Sequence, residues 1–244
     1  MYIFDAFAVQ VLCRLVVNFA EMAAKGHALL NRIEAVTTEE ERKELTGITR
    51  KLKYVTTLLP IRTVGVQGDA RSYSYAVAIS SPKESVAQEW QDLLYFAKLI
   101  PRLCHNINRV TFVFGGPVEH QVNDITPTLL TPHSIATLRA ADHLANQVLN
   151  SNPEAKAKLS QMPLVLIPVH FDRSAIEKVA SFRRSVVIRT FVTQDFMTGV
   201  PALPGRDLSL DILAKMVAEI KTVPGISRVL FDLTSKPPGT TEWE

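Results

Sequence analysis

Short words of sequence recur, in the same order, in the two halves of this chain. Ile61-Arg62-Thr63 returns as Ile188-Arg189-Thr190, and Asp69 is answered by Asp195 after a similar gap. Ile107-Asn108-Arg109-Val110 returns as Ile226-Ser227-Arg228-Val229, each after an amphipathic helical stretch and each opening a strand. A duplicated unit has to be built twice and packed against itself or a neighbour, so the repeat limits the fold more than any local signal. The expected class is α+β. It has two strand–turn–strand–helix–strand units, forming small antiparallel or mixed sheets with helices on one face, after a helical N-terminal segment. The segment is placed at 1–57, the first unit with a helical insertion at 58–160, and the second unit with its tail at 161–244. Sheets of this kind leave unpaired edges, which makes a dimer the expected assembly.

Local patterns agree with this division. Ala6 to Ala24 carries polar residues (Gln10, Arg14, Asn18, Glu21) at helical spacing, and Ala28 to Ala35 continues helical. Thr37-Thr38-Glu39-Glu40-Glu41 reads as a helix start, because a threonine oxygen caps orphan amides and glutamates suit the positive helix end. Strands are expected at Ile61–Val66, Tyr73–Ile79, Arg109–Phe114, Leu164–Val169, Val186–Val192 and Arg228–Leu233. Helices are expected at Trp90–Ile100, Ile135–Leu149 and Leu210–Ile220. Gly68 to Arg71 is the turn of the first strand pair.

Composition removes several function classes. With 47% apolar residues in 244, the chain can bury a real core. The formal charge of +3 favours neither nucleic acid nor a membrane surface as partner. No basic region precedes the apolar N-terminal stretch, so a secretory signal is not expected. Cys13 and Cys104 have no metal or redox spacing, which fits a reducing, cytoplasmic compartment. None of the six histidines has ligand spacing, and no metal site is expected. His170, at a strand end, is expected to hydrogen-bond nearby rather than to ligate.

Three segments carry candidate chemistry. The tail Lys236-Pro237-Pro238-Gly239-Thr240-Thr241-Glu242-Trp243-Glu244 combines two stiff prolines, a permissive glycine, hydroxyls and charges. The prolines end the preceding strand, and the glycine lets the backbone approach something closely. Such a tail either closes over a polar ligand or stands as an exposed terminus. In Gly65-Val66-Gln67-Gly68-Asp69-Ala70-Arg71, Asp69 and Arg71 project from a turn. Asp69 either bonds its own backbone or accepts from a ligand, with Arg71 facing phosphate. The word is neither a dinucleotide fingerprint nor a P-loop. The loop Phe196 to Gly205, with two prolines and two glycines, is either a rigid connection or a contact surface. Arg183, Arg184 and Arg189 form a small basic cluster.

Three long words resemble the C-terminal region of glutamine-hydrolysing GMP synthetases. They are Thr234 to Glu244, Val64 to Tyr75 and Asp195 to Pro201, and the similarity runs from about Val11 to the end in the longer eukaryotic style with a duplicated dimerisation region. The family makes GMP from xanthosine monophosphate (XMP). A glutaminase domain releases ammonia, an ATP pyrophosphatase domain adenylylates XMP with ATP and magnesium, and ammonia displaces AMP. The resemblance implies that Asp69, Gln161, Lys236 and Glu242 contact XMP, with Arg71 and Arg189 as weaker candidates. It implies no catalytic residue and no cofactor on this chain itself, since the ATP loop and the glutaminase cysteine and histidine are absent from the sequence. The implied partners are XMP and either a second copy or a chain carrying the ATP pyrophosphatase. Met1 to Gln10 fits the family poorly, as expected of a truncated gene model, a split gene or a fragment. The alternative is a free-standing, non-catalytic dimerisation and nucleotide-binding module.

Overall fold

The structure is a computed structural model. It describes residues 2–243 except 27, 29, 83–88 and 175; the side chains of 2–7, 67 and 89, and Glu244 of the tail, lie outside the described residues. Helices α1 (Tyr2–Val17), α2 (Phe19–Ala24), α3 (Leu30–Val36) and α4 (Glu39–Lys51) come first. Thr38 caps α4 as its sequence requires: its hydroxyl accepts from the Glu41 amide at 3.2 Å, and the Glu41 carboxylate accepts from the Thr38 amide at 2.9 Å. The first unit is β1 (Val55–Gln67), β2 (Ala70–Ser80), α5 (Glu89–Leu103) and β3 (Ile107–Val113). Helices α6 (Pro132–Asn150) and α7 (Pro153–Lys158) follow a loop, and the second unit is β4 (Leu164–Ile167), β5 (Arg184–Ile188), α8 (Leu210–Lys221) and β6 (Ile226–Asp232).

The two units share one mixed sheet in the order β1-β2-β3-β6-β5-β4. The outer pairs β1–β2 and β4–β5 are antiparallel, β2–β3 and β5–β6 are parallel, and β3 meets β6 antiparallel at the centre. The sheet is therefore a pseudo-two-fold object. Its axis passes between Phe112 and Phe231, which pair across the centre and are each the sixth residue of their strand. Trp90 of α5 packs edge-on against both rings, with centroids 5.3 and 5.4 Å away. The words opening at Ile107 and Ile226 fall on these equivalent strands. Ile61-Arg62-Thr63 and Ile188-Arg189-Thr190 do not: the first lies in β1, and the second begins at the end of β5, the counterpart of β2. Both are apolar–arginine–threonine strand words, which explains their likeness without equivalence.

Strand alternation gives the sheet two different faces. Val77, Ile79, Val110, Phe112, Val186, Ile188, Val229 and Phe231 face the helices. Ala76, Ala78, Val113, Val187 and Leu230 face the other way, under Val118 and Val122 of the loop after β3 and under Trp243 of the tail. Strand β1 begins earlier than its pattern suggests, because Pro60 sits in an irregularity between Leu58 and Arg62 that an edge strand tolerates. Helix α7 begins at Pro153, which suits a first helical position as well as it suits a stop. Cys13 and Cys104 meet in the helical core as free thiols; their hydrogen bond, with burial, pushes Cys13 well above the ordinary thiol range. Among the described residues no helix is long and apolar enough to cross a membrane.

Candidate functional site

The site is built on the face of the sheet away from the helices. The alternation that sends Val110, Ile188 and Phe231 to the helices sends Arg109, Arg189 and Asp232 to the opposite side. All three side chains have no exposed surface. Arg109 Nη1 lies 3.1 Å from Asp232 Oδ2, and Arg189 Nη1 lies 3.4 Å from Asp232 Oδ1. A buried carboxylate between two guanidiniums is stable only if the surplus charge and donors find partners. The tail supplies them.

After β6 the chain turns back across this face. Arg109 donates to the carbonyl of Thr240 at 3.2 Å, to the Thr240 hydroxyl at 2.7 Å and to the Glu242 carbonyl at 2.5 Å. Arg189 donates to the Thr234 and Thr240 carbonyls. Trp243 is 4% exposed; its indole N–H donates to Asp232 Oδ2 at 2.9 Å and Arg109 stacks on its ring. Burial lowers Arg109 to about 10, against the raising effect of Asp232, so it stays charged at neutral pH. Burial pushes the Asp232 carboxyl up, but Arg189, Arg109 and the Thr234 hydrogen bonds outweigh it and hold the group below the usual carboxylate range.

The tail also closes the outer edge of β1. The Val64 and Val66 amides donate to the carbonyls of Trp243 and Pro238, both at 2.8 Å. The first half of the same edge is satisfied by Gln10 of α1, whose amide accepts from the Leu58 amide and donates to the Thr56 carbonyl. Gly65 makes the approach possible: a Cβ there would lie 2.5 Å from the Pro238 carbonyl oxygen. The tail's own Gly239 bridges to Gly65. The tail glycine expected to allow close approach lies against the protein's own strand, but the missing side chain that makes the room is that of Gly65; a Cβ on Gly239 would meet Arg109 Nη1 and Thr234 at 3.2 Å.

Lys236 and Gln161 stand on neighbouring segments. Gln161 bridges to Phe191, Val192 to Val200, and Gly199 to Lys236, so four short pieces lie side by side. Gln161 is exposed at the outer piece. Lys236 Nζ donates to the Phe196 carbonyl at 2.6 Å, beside a cavity of about 430 Å³ lined by Thr193, Asp195, Thr198 and Ser235 among others. The Asp195 carboxylate is held below its usual range first by the Thr198 amide and then by Met197, so it folds the loop rather than facing out as a free charge. Phe196, Met197 and Val200 of that loop are exposed while Pro201 to Pro204 are buried.

The remaining candidates are spread around this centre. Asp69 and Arg71 are exposed at the β1–β2 turn, and neither side chain has a hydrogen bond or ion pair among the described residues. Glu242 is exposed, and its backbone carbonyl, not its carboxylate, takes the Arg109 contact. Arg189 is committed to Asp232 and the tail backbone, and so positions the tail. Arg109, Asp232 and Trp243 were not singled out from the sequence; a charged residue inside each of the apolar words INRVTFV and ISRVLFD was the available signal. His170 bonds Ser181 at 2.9 Å, as a strand-end histidine should. Among the described residues no cluster of three metal-ligating side chains occurs.

The arrangement fixes a tail with Lys236 on a segment near that of Gln161 and with Glu242 exposed, while Asp69 and Arg71 project from the β1–β2 turn. That suits binding of a polar anion more than bond-making chemistry.

Comparison with known proteins points to one family. The family described as GMP synthase C terminal domain matches residues 149–243, which hold the second unit and the tail. A probable glutamine-hydrolysing GMP synthase of Caenorhabditis elegans is 49% identical over 77% of this chain and 26% of its own length. That of Dictyostelium discoideum is 43% identical over 87% of this chain and 30% of its own. A probable GMP synthase of Leptospira interrogans is 30% identical over 77% and 28%. The chain thus spans between a quarter and a third of the length of these relatives. By the family match and these relatives, the chain belongs to the GMP synthase family, as a C-terminal region.

Proposed function

We propose that this chain is the XMP-binding and dimerisation part of a GMP synthase, the ligase that turns XMP, ATP and glutamine into GMP, AMP, pyrophosphate and glutamate in purine nucleotide synthesis. The observation that carries the reading is the latched tail: Arg109, Asp232 and Arg189 fix a segment whose polar ends, Lys236 and Glu242, are left to face a ligand. Lys236, a compact charge, takes the phosphate, trading the Phe196 carbonyl for it. Glu242 and Asp69 accept from ribose hydroxyls or ring N–H groups, Gln161 adds an amide, and Arg71 supports the phosphate end. Arg189 acts through the tail rather than on the ligand.

The chemistry of adenylylation and ammonia release requires an ATP loop and a glutaminase nucleophile, which these residues do not include. ATP and magnesium therefore belong to a partner region, and the partner is a segment or chain carrying the ATP pyrophosphatase, working in the cytosol. A homodimer would use surfaces other than the β3–β6 pairing, which the chain satisfies within itself. The phosphate assignment is checked by binding of XMP against xanthosine. The intact chain should prefer XMP at least tenfold and Lys236→Ala should lose the preference; equal preference in both would remove Lys236 from the phosphate.

A further inference from the structure

We propose that the cavity behind the tail is a second small-molecule site, suited to a flat aromatic ring that carries one anionic group. The cavity measures about 650 Å³, within the range of small-ligand sites. One wall is the stripe Leu94, Ala97 and Pro101 of α5, spaced at helical intervals, and the facing wall is Pro237 and Pro238 of the tail. Proline rings present apolar C–H faces that pack well on aromatic rings, so a slot with prolines in both walls suits a planar ring. Lys98 and Arg102, one turn apart on α5, line it together with His105, and among the described residues no carboxylate does.

The two cations differ in a way that names the ligand's charge. Arg102 is aimed by Glu41 at 2.8 Å and by the Val36 carbonyl, so it is fixed in place and its charge largely answered. Lys98 is exposed and forms no ion pair among the described residues. One uncompensated cation beside apolar walls favours a single negative charge on an otherwise apolar body.

This cavity adjoins the proposed XMP contacts, since Gly68 beside Asp69 lines it, but the tail stands between it and Lys236. Ser235 borders both cavities, Lys236 turns to the far one, and the two prolines after it turn to this one. The tail is the partition, so a ligand here packs on the backbone that carries Lys236.

Anilinonaphthalene sulfonate, an aromatic anion, tests the site by fluorescence titration of the full chain. The expected result is saturable binding of one probe per chain, weakened at least tenfold both by Ala97→Phe, which fills the slot, and by Lys98→Glu, which reverses the lysine's charge. Lys98→Glu is a surface change that leaves the fold intact, so it decides the matter even if Ala97→Phe does not fold. Lys221→Glu, outside this cavity, should bind as the parent does. Binding without saturation, or unchanged in Lys98→Glu, overturns the proposal. Competitive displacement by XMP overturns it as well, because the cavity would then be part of the XMP site.

Discussion

At the scale of single residues, the account turns on Asp232. It lies between two guanidiniums with no exposed surface. Removing one partner of a buried ion pair leaves the others uncompensated, at a cost of about 3–5 kcal/mol. Asp232→Asn should therefore lower stability by about that much in denaturant unfolding. A loss under about 1 kcal/mol would mean that the cluster is not coupled to the fold. The sign of its pH dependence also follows. The folded carboxyl is held below its usual range, so its contribution is full above about pH 4, the unfolded carboxyl value, and is lost as pH falls through the folded one. Acidification below about pH 4 should release Trp243 to water and red-shift its emission, more than any change from the core Trp90. The proposed contacts Lys236 and Glu242 stand in a tail that the sequence singles out, whereas this cluster was not legible there. Arg109 and Asp232 are 123 positions apart, and only the central strand pairing shows that each buried charge has its partner.

At the scale of elements, the junction of β1 and the tail is the decisive contact. Two glycines provide a contrast. At Gly65 a Cβ would meet the Pro238 carbonyl and Asn108, whereas at exposed Gly47 in α4 it would meet nothing within 4 Å. Gly65→Ala should free the tail, with loss of hydrogen-exchange protection at the Val64 and Val66 amides. Gly47→Ala should stabilise α4 by about 0.5–1 kcal/mol. Intact protection in Gly65→Ala would mean that the tail does not depend on this approach. Helix and strand identities followed from periodicity in both units, and the N-cap at Thr38 followed from its residues. The length of β1 did not, because Pro60 looks like a stop and is an edge irregularity. Nor did the pairing of the units: the Ile61 and Ile188 words are alike in composition, but they fall on strands that are not equivalent by the pseudo-dyad.

At the scale of the whole molecule, the two units form one continuous sheet with unequal ends. The second unit runs on into the tail, while β3 of the first runs into Gly115 and Gly116, both at positive φ, and away. The first unit instead lends Arg109 to the second unit's tail and the β1 edge to its backbone. With one tail, the proposed XMP site occurs once per chain. The chain alone, given ammonia, ATP and XMP, should make no GMP; turnover by the purified chain would contradict the assignment of adenylylation to a partner region. Calorimetric titration of the purified chain with XMP tests the central claim most directly. The account predicts saturation at one XMP per chain, with Lys236→Ala and Glu242→Gln each weakening binding about tenfold or more, the value of about 1.4 kcal/mol for a charged contact. No heat of binding at millimolar XMP, or equal affinity in both variants, would contradict it.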